Sequence, residues 1–211
     1  MNKAVFFTLA FFSIALQHSI AQVNIDSIAT YYASPEGRLT YIQNTAKLNA
    51  LDSTLQKKDF VALYYGTPFQ PHFDIDLIDS IENKIKEYNL LQEFMLAYEL
   101  CDSLLLLNPV SITAYFEKSF SCYALKRSAE EAINNQKYRI FAKCVLRSGN
   151  GSTAAPFKVV SYNDAIEVVK YLQVKYKQLI LIDDTTIVAE LTKKYQGETN
   201  LYFQLVAPLH E

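Results

Sequence analysis

The run Asp74–Leu146, DIDLIDSIENKIKEYNLLQEFMLAYELCDSLLLLNPVSITAYFEKSFSCYALKRSAEEAINNQKYRIFAKCVL, carries apolar side chains at three- and four-residue steps from end to end. Ile75, Ile78, Ile81, Ile85 and Tyr88 lie on one helical face and predict a helix over Asp74–Glu87. A second helix is expected from Leu91 to Leu107, stopping before Asn108-Pro109, because proline brings no backbone donor and disfavours a helical residue before it. A third runs from Ser111, a natural N-cap, to Leu125, with Ile112, Tyr115, Phe116, Phe120, Tyr123 and Ala124 on its apolar face. The fourth covers Ser128–Leu146, with Ala129, Ala132, Ile133, Gln136, Ile140 and Cys144 on its stripe. Ser128 and Glu131 have the spacing of a capping box.

Two of these helices open alike. Gln92–Ala97 and Arg127–Ala132 each begin the second helix of a hairpin, end in alanine and stand about one tetratricopeptide period apart (about 34 residues). The pattern predicts tetratricopeptide-like hairpins. Two copies are fewer than the three or so such a stack needs, so flanking segments must cover its ends. On the N-terminal side, residues 25–65 read as irregular helix broken at Ser34-Pro35-Glu36-Gly37. Tyr65–Pro71 is expected to be extended, since two prolines and a glycine fall within it. On the C-terminal side, Ser148-Gly149-Asn150-Gly151-Ser152 ends the fourth helix and Phe157–Val160 is a short strand candidate. Asn163–Val174 is a helix, and Gln178–Ile182, Thr186–Lys193 and Asn200–Val206 alternate as three strands of an antiparallel meander. The buried side of that meander is assigned to Leu179, Leu181, Ile187, Ala189, Leu191, Leu201, Phe203 and Leu205. The expectation is an α+β fold: a tetratricopeptide-like antiparallel helical bundle over 22–147, then a helix and small sheet over 148–211.

Residues 1–21 read as a secretory leader. Lys3 gives a positive start, Ala4–Leu16 is uncharged and apolar, and Ser19 and Ala21 place small residues before a cleavage point ahead of Gln22. No cysteine follows that point, so export to the periplasm or beyond is expected without a lipid anchor. The apolar run is shorter than the about 20 residues a membrane-crossing helix needs, and no later segment reaches that length. Half of all residues are hydrophobic and the net charge is −2. That balance lacks the basic surface nucleic acid requires.

Leu63–Gln70 (LYYGTPFQ), Ser148–Gly151 (SGNG), Ala155–Val160 (APFKVV) and the terminal Leu201-Tyr202-Phe203, in this order behind an apolar leader, resemble the exported Bacteroidetes family catalogued as domain of unknown function 4919. The resemblance spans most of the chain after the leader. It implies export and a helical-repeat-plus-sheet fold, and it implies no activity. Where the family more usually has Asp, this chain has Asn150, which removes the case for a cation in that loop.

Chemistry-bearing residues are sparse. His72 and His210 are the histidines beyond the leader, and a metal or nucleophile site needs histidine with partners. No metal and no cofactor is expected. Ser148–Ser152 follows a helix instead of opening one, so it reads as a helix terminus and not as a phosphate loop. Asp74, Asp76 and Asp79 suit the positive end of a helix dipole. Cys101, Cys122 and Cys144 are an odd set; buried free thiols are the default, and a Cys101–Cys122 bridge between neighbouring helices is the alternative. Tyr64, Tyr65, Gly66, Phe69 and His72 form the candidate ligand or partner site. As an aromatic segment stiffened by Pro68 and Pro71, it either docks a peptide or sugar or fills the repeat's groove from within. Asp followed by Ser or Thr and then Ile, Thr or Leu recurs more often than composition predicts. It marks Ser27, Ser53, Ser80, Ser103 and Thr185 as O-glycosylation candidates of the kind Bacteroidetes exported proteins carry; helix-start preference is the competing account. The resulting expectation is a non-catalytic interaction or scaffold module that takes a protein or peptide. A hydrolase of envelope glycan or peptide, using an unrecognised carboxylate or cysteine, is the alternative.

Overall fold

The structure, a computed structural model, describes residues 23–206. The leader over 1–21 and His210 lie outside the described residues. Three helices come first: α1 (Ile25–Ala33), α2 (Pro35–Asn49) and α3 (Lys57–Gly66), the last running into a 3-10 turn at Thr67–Phe69. Asn24 caps α1, its Oδ1 accepting the Ser27 N–H at 3.0 Å. The break at Ser34 is real, but Pro35 opens α2, where its missing N–H costs nothing, and Ser34 Oγ accepts the Gly37 N–H.

The expected extended segment from Tyr65 is not extended. Tyr65 and Gly66 complete α3, and Pro68 sits in the first turn of the 3-10 helix, a position proline tolerates. Gly66 is required by packing: a Cβ there would lie 2.6 Å from the Tyr32 ring.

The central helices follow as α4 (Ile75–Leu90), α5 (Phe94–Leu107), α6 (Ile112–Ala124) and α7 (Ser128–Leu146), each packed on the next across a short turn. Ser111 caps α6 through the Ala114 N–H at 2.9 Å. The capping box at Ser128 is absent; α7 begins after Arg127 with no side-chain cap. Ala97 is fully buried where α4 and α5 meet, whereas Ala132 faces solvent, so the small-residue contact exists in the first hairpin only. Phe120 and Tyr123, expected inside, are 46% and 69% exposed.

The remainder is β1 (Phe157–Val159), α8 (Tyr162–Tyr171), β2 (Tyr176–Leu181), β3 (Thr186–Tyr195) and β4 (Glu198–Leu205). The antiparallel β2–β3–β4 meander forms with strand ends shifted from those expected. Gln196-Gly197, both at positive φ, close the β3–β4 hairpin, as a two-residue turn demands. The sheet has a fourth strand: β1 lies parallel to β4, pairing Phe157 with Phe203 and Val159 with Leu205, in the order β1-β4-β3-β2. It is therefore mixed, because the chain crosses over through α8 before the meander begins. Gly151 at φ +79° fits against Phe157 and Leu201, and its carbonyl accepts the Tyr202 N–H at 2.9 Å, which stitches the Ser148–Ser152 turn to β4.

One cluster of buried side chains runs from Tyr32 through Tyr64, Tyr115 and Phe141 to Ile187, Leu201 and Leu205. It joins the first three helices, α6, α7, α8 and the sheet. Phe141 is stacked between Tyr64 (6.3 Å) and Tyr115 (5.9 Å). A smaller cluster of Ile78, Ile85, Ala97, Cys101, Leu104 and Ala114 holds α4 to α5 and α6. Fully burying a side chain of this size contributes about 1.5–3 kcal/mol.

Candidate functional site

The predicted Tyr64–His72 segment is divided by the fold. Tyr64 and Tyr65 are fully buried and offer no surface to a ligand. The Tyr64 hydroxyl donates to Asp164 Oδ2 at 2.6 Å and accepts the Val160 N–H at 3.2 Å. The Tyr65 hydroxyl donates to the Lys158 carbonyl at 3.1 Å. Burial pushes both phenols above their ordinary range, so both stay protonated. These rings bolt α3 to the C-terminal segment. Gly66 is buried under Tyr32, and Phe69 is half-buried. His72 alone is exposed, at the rim of a cavity of about 500 Å³ with Tyr41, Ile42, Leu106 and Leu107.

Where Tyr64 ends, a set of carboxyl groups begins. Glu82 on α4 and Asp164 on α8 are almost wholly buried. Ser111 donates to Glu82 Oε1 at 2.6 Å, and Glu82 Oε2 has no partner. Asp164 accepts from the Tyr64 hydroxyl. Burial first, with the Asp164 charge next, pushes Glu82 up to about 8; burial first, with the Asp79 and Glu167 charges, pushes Asp164 up to about 7. Around them, Lys86 donates to Asn163 Oδ1 at 2.6 Å, Asn163 donates to Asp79 at 3.4 Å, and Lys170 donates to Glu167 Oε1 at 2.8 Å. Glu167 is fully buried, and desolvation raises its carboxyl in spite of Lys170. This junction ties α4, α6 and α8 together. Among the described residues, no group of three or more His, Cys, Asp or Glu is arranged to hold a metal ion.

The two lysines of this junction also line a groove on its outer side. Leu90, Phe94, Phe116 and Phe120 form its walls, with Lys86 and Lys170 on its rim, around a volume of about 570 Å³. Phe94 and Phe120 meet edge to face at 5.9 Å, and Lys170 Nζ stands 4.9 Å from the centre of the Phe116 ring. The floor is a closed polar network: Asn89 Nδ2 donates to Glu117 Oε2 at 2.8 Å, and Ser121 donates to Asn89 Oδ1 at 2.8 Å. Leu90 is 83% exposed and Leu91 60%, which extends the apolar surface past the groove. Such an aromatic recess with a few convergent polar groups is the usual form of a binding site. Sequence reasoning missed it because Phe116 and Phe120 look like core at their spacing, and Asn89 and Glu117 look like solvent-facing polar residues.

Of the modification candidates, Ser27, Ser53, Ser80 and Ser103 are exposed and Thr185 is half-buried, its N–H bonded to Asp183 at 2.9 Å. Ser80 and Ser103 lie within α4 and α5, so helix-start chemistry does not explain them. Cys101, Cys122 and Cys144 are free and buried, and burial pushes all three thiols up.

Helical hairpins closed by a mixed sheet, with an aromatic recess on the helical face, define an α+β protein. A family model described as domain of unknown function (DUF4919) matches residues 27–211, and the chain belongs to that family. No curated protein and no solved structure matches the chain significantly.

Proposed function

We propose that this protein is an exported, non-catalytic interaction module that binds a protein or peptide segment in the Phe94–Phe116–Phe120 groove. The carrying observation is the groove itself: three phenylalanines around an open recess, a floor whose polar groups are already bonded, and two ammonium groups on the rim. Apolar walls take an aromatic or branched anchor. Lys86 and Lys170, each with donors left after one hydrogen bond, take an acidic residue beside it. We read α4–α7 as tetratricopeptide-like hairpins, supported by their consecutive packing and by the close approach at Ala97. Export rests on the leader sequence, as does the Bacteroidetes affiliation on the motifs. The exposed hydroxyls at Ser27, Ser53, Ser80 and Ser103 would be open to glycosylation in an exported protein. Among the described residues no helix is long and apolar enough to cross a membrane.

A displayed random-peptide library selected on the purified protein tests the groove. Enriched peptides carrying an apolar anchor next to Asp or Glu, with at least about tenfold weaker binding to Phe120→Ser, are the expected result. Peptides that bind Phe120→Ser as they bind the parent would remove the groove from consideration. The second reading, an envelope hydrolase, draws on Glu82 and Asp164, a carboxyl pair held between charge states as acid–base chemistry requires. Neither Glu82 nor Asp164 lines the aromatic groove or the cavity beside His72, which favours the first reading.

A further inference from the structure

Lys137, on α7, is a cation without an anion. Its Nζ lies 5.3 Å from the centre of the Tyr115 ring, and none of the ion pairs among the described residues includes it. The side chain is half-buried, and burial, with the nearby Lys118 charge, pushes its amine down. Placing an unpaired ammonium in a partly dry setting is unfavourable unless something compensates for the lost water. Beside it opens a pocket of about 320 Å³ between the end of α2, the turn that follows, α3 and α7. Leu48, Leu55, Phe60 and Ile140 form its apolar wall, and Lys47 brings a second ammonium to it. Asp52 is the one carboxylate on the lining, and its Oδ1 already accepts the Thr54 N–H at 2.8 Å.

We propose that this pocket binds a carboxylic acid with an apolar tail, its carboxylate on the Lys137 and Lys47 ammonium groups and its tail against Leu48, Leu55, Phe60 and Ile140. The volume, at the lower end of small-molecule sites, suits a medium-length chain. Charge selects the head group, and the leucine, phenylalanine and isoleucine walls select the tail. This site shares no residue with the aromatic groove and stands independently of the interaction-module reading.

The test is calorimetric titration of the full chain with decanoate, decanol and inorganic phosphate. Decanoate should bind about tenfold or more tightly than decanol, since a charge-assisted contact is at stake, and phosphate should not displace it. Lys137→Met, which keeps the stem over Tyr115, should lower decanoate affinity part of the way, and Lys47→Met combined with Lys137→Met should lower it to that of decanol. Equal affinity of decanoate and decanol, no decanoate binding below its own self-association, or unchanged decanoate affinity in Lys137→Met each overturns the proposal. A measurement on the unaltered protein guards against a variant that fails to fold. Saturating decanoate should protect the Lys137 amine from reductive methylation, read by peptide mass mapping, and full labelling of Lys137 under those conditions would refute the contact.

Discussion

Tyr64 shows how a single hydroxyl serves two distant parts of the chain. It donates to Asp164 and accepts from Val160, so removing it strands a buried acceptor and a buried donor together. Tyr64→Phe is expected to cost about 1–3 kcal/mol in urea unfolding, whereas Tyr123→Phe, on an exposed ring, should stay within about 0.5 kcal/mol. Equal stability of the two variants would mean that the Tyr64 hydroxyl holds nothing. The pair also explains why the Tyr-Tyr-Gly run is a fold feature: each of its three residues is fixed by a buried neighbour.

Among the helices, α4 is the instructive one. Its apolar spacing predicts a stripe of Ile75, Ile78, Ile81, Ile85 and Tyr88, but its buried face is Ile75, Ile78, Glu82, Ile85 and Asn89. The helix is turned so that two polar residues point inward, and both find partners on α6: Ser111 for Glu82, and Glu117 and Ser121 for Asn89. Ser111 thus caps α6 and satisfies Glu82 at once. Ser111→Ala should cost about 2–3 kcal/mol by chemical denaturation, because the cap and the carboxyl's one hydrogen bond go together. Ser128→Ala, at a helix start with no side-chain cap, should be nearly neutral, within about 0.5 kcal/mol. A Ser128→Ala loss as large as that of Ser111→Ala would contradict this account of the two helix starts.

For the molecule as a whole, the junction of α4, α6 and α8 makes stability depend on pH. Glu82 and Asp164 are raised to about 8 and about 7, above the values they have in an unfolded chain. The folded state therefore holds protons that the unfolded state releases. Their stabilisation is complete below about pH 4 and is lost as pH rises through 7 to 8. Asp52, Asp183 and Glu190, lowered by hydrogen bonds from neighbouring backbone and side chains, work in the opposite direction at the acid end. Thermal unfolding should thus occur at a higher temperature at pH 5 than at pH 8. A retained shift of one pH unit is worth about 1.4 kcal/mol, or roughly 3–5 °C for a chain of this size. Glu82→Gln should flatten that dependence above pH 6. A Tm that rises from pH 5 to pH 8, or an unchanged slope in Glu82→Gln, would show that the junction does not hold these protons.

Periodicity alone was sufficient for the existence and order of the four central helices, for α8 and for the alternating strands of the meander. Apolar spacing is a local property, and each of these elements buries one face. What sequence could not supply is which polar residues turn inward and which aromatic residues remain outside. Glu82, Asn89, Glu117 and Asp164 are buried because partners from other elements meet them, Glu167 is buried with Lys170 of its own helix, and Phe120 is half-open because Phe94 meets only part of its ring. The parallel pairing of β1 with β4 belongs to the same class, since it joins segments far apart in the chain through a crossover that no local pattern records. Local spacing therefore determined the elements. The tertiary structure decided the groove, the carboxyl junction and the Lys137 pocket, because each is made of side chains that only packing brings together.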